Sequence, residues 1–218
     1  MVTISRVVEK VIGDNPILQE AISRGIINYA ALAEDIKPKI EQEMRAPIKT
    51  SAIMMALRRL SEKLEKSFVS KAKFDKNADI FVKSDLFEIT LKKSRRTYSL
   101  IKEVYENVDP EKDFLTVTQG LSQITLISNK RNKKYIMEKL GKEKIVKEIN
   151  DLACISTILP LNAIDQVGYF YNITRGFAWE NIPIIEIVST LTELNFIVKE
   201  KDIPKSFNLF KEIIRRNS

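Results

Sequence analysis

Asp85-Leu-Phe-Glu-Ile-Thr-Leu91 returns later in the chain as Asp151-Leu-Ala-Cys-Ile-Ser-Thr157, with Asp-Leu and one isoleucine superimposed at an offset of 66. Further along, Leu121, Ile124 and Ile127 fall on Leu191, Leu194 and Ile197, now at an offset of 70. Two offsets that each superimpose apolar positions describe one repeated unit with four extra residues in its second copy. The first strands agree at one offset and the hairpins at the other. The extra residues therefore fall between them, most simply in the loop Pro160 to Val167.

Within the first copy, Phe87 to Leu91 alternates as a strand, Thr97 to Asn107 has helical period, and Phe114 to Thr118 is a second strand. A turn at Gln119-Gly120 leads to a third strand over Ile124 to Ile127, and Lys133 to Leu140 is again helical. The second copy runs Cys154 to Leu159 as strand, Gln166 to Asn181 as helix, a hairpin of Ile184 to Ser189 with Leu194 to Val198, and a helix from Asp202 to Arg215. Ile145 to Ile149 is a candidate for the strand that closes the first copy, and the closing strand of the second is open. The fold class is α+β: tandem ferredoxin-like βαββαβ units over 79–149 and 150–218, behind a small all-α domain (1–67) and a polar, lysine-rich linker (68–78).

The all-α region breaks at Gly13-Asp-Asn-Pro16, Gly25 and Ala46-Pro47, which predicts helices over 2–12, 15–24, 28–45 and 50–67. Asn15, Asn28 and Thr50 are cap residues, Pro16 suits a first helical position, and Pro38 splits or restarts the third helix. Ile53, Leu57, Leu60 and Leu64 form one apolar stripe on the fourth, with Arg58, Arg59, Glu62, Lys63 and Lys66 off it. One reading gives Arg58, Arg59 and Lys63 to nucleic acid, with Asn28 to Glu34 as the preceding helix of a helix-turn-helix. The other pairs Arg58 with Glu62 and Glu62 with Lys66 at i,i+4 on a solvated helix. The gap to Thr50 is longer than the short turn that a helix-turn-helix uses.

Composition narrows the chemistry. The net charge of +7 is spread along the chain, with 13 Lys/Arg against 10 Asp/Glu in residues 1–75 and no basic tail. Cys154 is the single cysteine and there is no histidine, which removes internal disulfides, the usual zinc clusters and any mechanism that needs a histidine base. No metal or cofactor is expected. Without a long apolar run or a signal-peptide pattern, no membrane partner is expected and the cytoplasm is the expected compartment.

Asp165-Gln-Val-Gly168, a helix ending Ala178-Trp-Glu-Asn-Ile182, Ile187-Val-Ser-Thr190 and Leu194-Asn-Phe-Ile-Val-Lys-Glu-Lys-Asp202 together resemble an ACT domain, closest to the regulatory pair of aspartokinases. The similarity covers the second copy and reaches the first through the repeat. It implies an amino acid bound at the interface between units, touching the loop after the first strand, the start of the first helix and the facing second strand. By position those are Ile164, Asp165, Gln166, Val167 and Gly168, with Ile184 and Glu186 opposite. Where such domains often carry an asparagine at the start of that strand, this chain has Ile182-Pro-Ile184, and Pro183 removes both that side chain and a backbone donor.

The residues agree with this implication on physical grounds. Backbone N–H groups near Gly168 suit a carboxylate, and Asp165 or Glu186 suits an ammonium. Against it, Asp165 equally suits a helix cap, and Gly168 close packing. Lys92-Lys-Ser-Arg-Arg96 reads as a solvated loop, and Tyr169, Phe170, Tyr171, Phe177 and Trp179 as core plus a subunit interface that makes a homo-oligomer plausible. The expected protein is a non-enzymatic sensor of an amino acid. Its alternatives are a transcriptional regulator switched by the pair and a ligand-free protein–protein scaffold; no catalytic constellation or phosphate-cradling glycine loop is present.

Overall fold

The computed structural model describes residues 3–64, 73–141 and 145–216 and divides the chain into two compact units, residues 1–70 and 71–218. The first is helical: α1 (Ile4–Gly13), α2 (Pro16–Ser23), α3 (Tyr29–Met44) and α4 (Thr50–Leu64). Asn15 caps α2 with Pro16 in its first turn, and the Asn28 side chain accepts from the Ala30 and Ala31 amides. Thr50 is not a cap: the Ala52 and Ile53 amides donate to the Lys49 carbonyl, so Thr50 is already helical. Residues 65–67 of the predicted fourth helix lie outside the described residues. α3 runs through Pro38 unbroken, with Ile36 and Ile40 buried on either side of it. The α4 stripe of Ile53, Leu57 and Leu60 packs on Val7, Val8, Val11 and Ile12 of α1 and on Leu32, Ala33, Ile36 and Ile40 of α3.

The second unit is one six-stranded antiparallel sheet. Its strands are β1 (Ile80–Lys92), β2 (Leu115–Gln119), β3 (Gln123–Asn129), β4 (Ile145–Ile158), β5 (Glu186–Ser189) and β6 (Glu193–Lys199), in the order β2-β3-β1-β4-β6-β5. α5 (Arg95–Asn107) and α6 (Lys133–Leu140) cover Phe87, Ile89 and Leu91, while α7 (Tyr169–Trp179) and α8 (Ile203–Arg216) cover Ile155, Leu194, Phe196 and Val198. Each half thus reads βαββα from its own chain segment.

The two long strands supply what each half lacks. Ile145 to Ile149 pairs with Leu91 to Glu88 and closes the first half; Leu152 to Ile158 pairs with β6 and opens the second. Ile80 to Lys83, assigned from sequence to the first unit, pairs with Thr157 to Cys154 and closes the second half. The halves are therefore joined by an exchange of strands and share one sheet. Phe74, in the stretch read as linker, is buried in the core of the second half; residues 68–72 of that stretch lie outside the described residues.

The register slips by one residue between Lys83 and Leu86, and again opposite, between Leu86 and Glu88. Asp85 and Asp151 sit at these slips, each at φ 56°, in the left-handed region. Such bulges bend and coil a sheet. A second apolar cluster lies on the face away from the helices: Leu86, Ile127, Leu152, Cys154 and Ile197, each at most 1 % exposed, with Phe114, Ile149 and Ile185 packed against them.

Aspartate tolerates a left-handed backbone far better than a β-branched residue does. Asp85→Val is expected to lower unfolding stability by about 1–2 kcal/mol, whereas Asp85→Gly holds or raises it, as measured by thermal denaturation. Equal losses in both variants would show that the aspartate side chain, not its conformation, matters there.

Candidate functional site

The two halves differ most where the first strand leaves the sheet. In the first, only Lys93 and Ser94 join β1 to α5; Ser94 caps the helix (Thr97 amide to Ser94 Oγ, 3.0 Å) and Lys93 Nζ donates to the Gly120 carbonyl at 3.4 Å. The basic run 92–96 is thus spent largely on a tight connection. In the second, residues 159–168 intervene, with a 3-10 turn at Leu161–Asp165. Helix α7 starts only at Tyr169, three residues later than its period predicts, because Gly168 ahead of it takes φ 110°. An L side chain is strained there, and a glycine is needed.

This loop and the β5–β6 hairpin form the walls of a cleft of about 500 Å³. Gln166, Val167 and Gly168 line it with Tyr169, Phe170 and Tyr171 of α7, Ser189, Thr190 and Leu191 of the hairpin, and Leu159, Ala163 and Leu194 beneath. The hairpin is held to the strand below by the Leu159 amide, which donates to the Thr192 carbonyl at 2.7 Å. Among the described residues no charged side chain lines the cleft; its polar groups are an amide, hydroxyls and backbone.

Of the residues expected from sequence, the structure thus gathers Gln166, Val167 and Gly168. Asp165 ends the 3-10 turn, is exposed, and does not cap α7, whose flanking residue is Gly168 with no side-chain cap. Ile164 lies in the same turn, and its side chain is outside the described residues. Ile184 packs on the second half's core and Glu186 pairs across from Ile197; neither lines the cleft. Pro183 is exposed and precedes β5, where the first ladder bond is the Ile185 amide to the Ile197 carbonyl (2.8 Å), so no sheet bond is lost to it. Ser189 and Thr190 were not expected, although they are the hairpin counterpart of Gln119-Gly120. Tyr169 and Phe177 of the aromatic helix are buried, while Phe170 and Trp179 are exposed.

Gln166 and Tyr169 also face the chain that follows the helical unit. The Tyr169 hydroxyl donates to the Lys73 carbonyl at 2.6 Å and lies 3.2 Å from Gln166 Oε1, which accepts from the Lys73 amide at 3.4 Å. The Tyr169 ring meets Phe74 edge-on, with centroids 5.0 Å apart.

A second polar feature lies on the far side of the sheet. Glu88 is 4 % exposed and its Oε2 has no hydrogen-bond partner among the described residues. Burial, and secondarily the charge of Glu186, push its carboxyl up to about 7, against the opposing effects of Lys147 and a hydrogen bond with Thr90. Burial raises Glu186 as well. On this face Ser156 donates to Asn195 Oδ1 at 2.6 Å, and burial pushes the Cys154 thiol up to about 11.

In the helical unit, two of the three residues offered to nucleic acid are engaged with α1: Arg59 donates to Ser5 Oγ at 3.2 Å and Lys63 pairs with Glu9. Arg58 is exposed, and Lys66 lies outside the described residues. Among the described residues no helix is long and apolar enough to cross a membrane.

No protein-family profile matches the sequence, and no curated protein matches it by sequence. Solved structures do match its fold. The aspartokinase alpha and beta subunit structure superimposes at a TM-score of 0.52 and 15 % identity, over 62 % of this chain and 97 % of that one. The ligand-free regulatory subunit of aspartate kinase from Thermus thermophilus gives 0.50 and 13 %, over 62 % and 97 %. The whole aspartate kinase of Clostridium acetobutylicum gives 0.53 and 14 %, with 62 % of this chain covering 34 % of that enzyme. The fold is ACT-like, α+β, with a helical region before it.

Folding with Glu88 buried holds its proton to a higher pH than in the unfolded chain, so stability falls as pH rises from the ordinary glutamate range through about 7. Glu88→Gln removes that cost. The variant is expected to be more stable than the parent above pH 7, by about 2 kcal/mol, and to lose most of the parent's slope between pH 5 and 8 in denaturant titrations. An unchanged slope would place the titrating group elsewhere.

Proposed function

We propose that the chain is a non-enzymatic regulatory protein that binds an amino acid through the cleft of its second ACT-like half, and that the helical unit is its output. The observation that carries this reading is the cleft itself: the loop lengthened between the copies is the one that walls it, beside the start of α7 and the β5–β6 hairpin. Its neutral lining favours a ligand with an apolar or uncharged side chain, the main-chain charges meeting backbone groups rather than side chains. The fold match to regulatory subunits supports a regulatory over a catalytic role. Gln166, Val167 and Gly168 carry the contacts, with Ser189 and Thr190 opposite.

A thermal-shift screen of the full chain with the twenty amino acids tests this. A ligand at roughly 100 times its Kd adds about 2.7 kcal/mol to apparent stability. Leu191→Trp, at a rim position 59 % exposed, fills the cleft without touching the core and is expected to abolish the shift. If no amino acid raises the melting temperature, or if Leu191→Trp leaves the shift intact, the cleft is not an amino-acid site.

A further inference from the structure

The second half holds, inside its own core, the stretch of chain that comes directly from the helical unit. Lys73 and Phe74 stand nine and ten residues beyond Leu64, the last residue of α4. Phe74 is 4 % exposed and belongs to the core cluster of the second half, with Ala78 and Ile80 packed on the same cluster. What holds this strap in place is not general packing alone. The Tyr169 hydroxyl on the Lys73 carbonyl, the Gln166 carboxamide on the Lys73 amide, and the Tyr169 ring on Phe74 all come from two residues that also line the cleft.

We propose that Tyr169 and Gln166 form a relay by which occupation of the cleft tightens the strap Lys73–Phe74, and so the point from which the helical unit is tethered. The proposal rests on the cleft being a binding site, and it adds the route by which occupancy leaves it. Both residues are positioning residues in this role. Gln166 Oε1 accepts from the Lys73 amide beside the Tyr169 hydroxyl, whose proton goes to the Lys73 carbonyl, so an occupant that orders the 166–169 loop orders both strap contacts at once. Ordering of a wall by its occupant is the general consequence of binding, and the strap inherits it because it has no other side-chain hydrogen bonds at Lys73 among those the structure shows. In the first half, the short loop at Lys93-Ser94 bonds instead to its own hairpin and helix.

The relay can be tested without knowing the ligand. Cys154 is buried, so Leu191→Cys places a single accessible thiol on the cleft rim, and a benzyl methanethiosulfonate reagent attaches a benzyl group there. Hydrogen exchange of the full chain is then read on peptides spanning residues 73–80. Filling the cleft is expected to slow exchange there about fivefold, the worth of one ordinary hydrogen bond, and to have no such effect when Tyr169→Phe removes the hydroxyl but keeps the ring. Leu121→Cys, at the fully exposed equivalent hairpin of the first half, is the labelled control and leaves the strap unchanged. Exchange that is unaltered or faster on labelling, slowing that persists in Tyr169→Phe, or equal slowing from Leu121→Cys each overturns the relay. Failure of the amino-acid screen alone would sink the ligand reading and leave this result standing.

Discussion

The antiparallel pairing of β1 with β4 is the contact on which the rest of the second unit depends. Each strand is too long for its own half: its first residues complete the other half, and its later ones begin its own. Without that pairing each βαββα segment would end on an unpaired strand edge. The pairing also sets the curvature, because the two bulges that admit Asp85 and Asp151 face each other across it. On the back of the sheet there, Phe114, Ile149 and Ile185 pack over the apolar cluster. That is why Leu86, Leu152 and Ile197 are buried without a helix over them, and why Glu88, on the same face, loses its water.

A repeated fold with unequal loops explains where the cleft lies. Both halves need their first helix to dock on the sheet just after the first strand. Ser94 does this directly in the first half, by capping α5 two residues beyond β1. In the second, ten residues make the same connection and arrive through Gly168, whose left-handed backbone turns the chain into α7 with no side chain over the helix start. The detour leaves space between loop and hairpin, whereas the direct route bonds to its hairpin through Lys93 and the Gly120 carbonyl.

Most of this second unit was legible because the signals were local. Strand alternation in Phe87–Leu91, the two repeat offsets, the closing strand Ile145–Ile149 and the long loop all follow from spacing and residue type, as do the caps at Asn15 and Asn28 in the helical unit. What escaped was set by distant chain. Ile80-Phe-Val-Lys83 reads as a strand only once its partner is known to be Cys154–Thr157, and nothing local tells a chain that its second half will be closed from ahead of its first. Alternation in Phe87–Leu91 puts Glu88 on the face opposite Phe87 and Ile89, and nothing local tells that this second face is buried too. Phe74 sat in a lysine-rich stretch where one aromatic carries little weight. Glu186 was expected to face the loop from the second strand; it pairs across from Ile197 and does not line the cleft.

Tyr169 joins the cleft to the strap, and simple magnitudes bound what it can transmit. It gives the strap one hydrogen bond, worth about 1 kcal/mol net, and one edge-on aromatic contact, worth about 0.5–1.5 kcal/mol beyond burial. Through Tyr169, occupancy of the cleft can alter strap stability by no more than these two contacts vary between the two states. The ceiling is therefore on the order of 2 kcal/mol, within the range of ordinary allosteric coupling. A relay of this size biases the helical unit's tether without unfolding the core that Phe74 shares with Ile155, Phe177 and Phe196. Burial of Phe74 favours that outcome, since the ring keeps its place in the apolar cluster when the polar latch beside it is loosened.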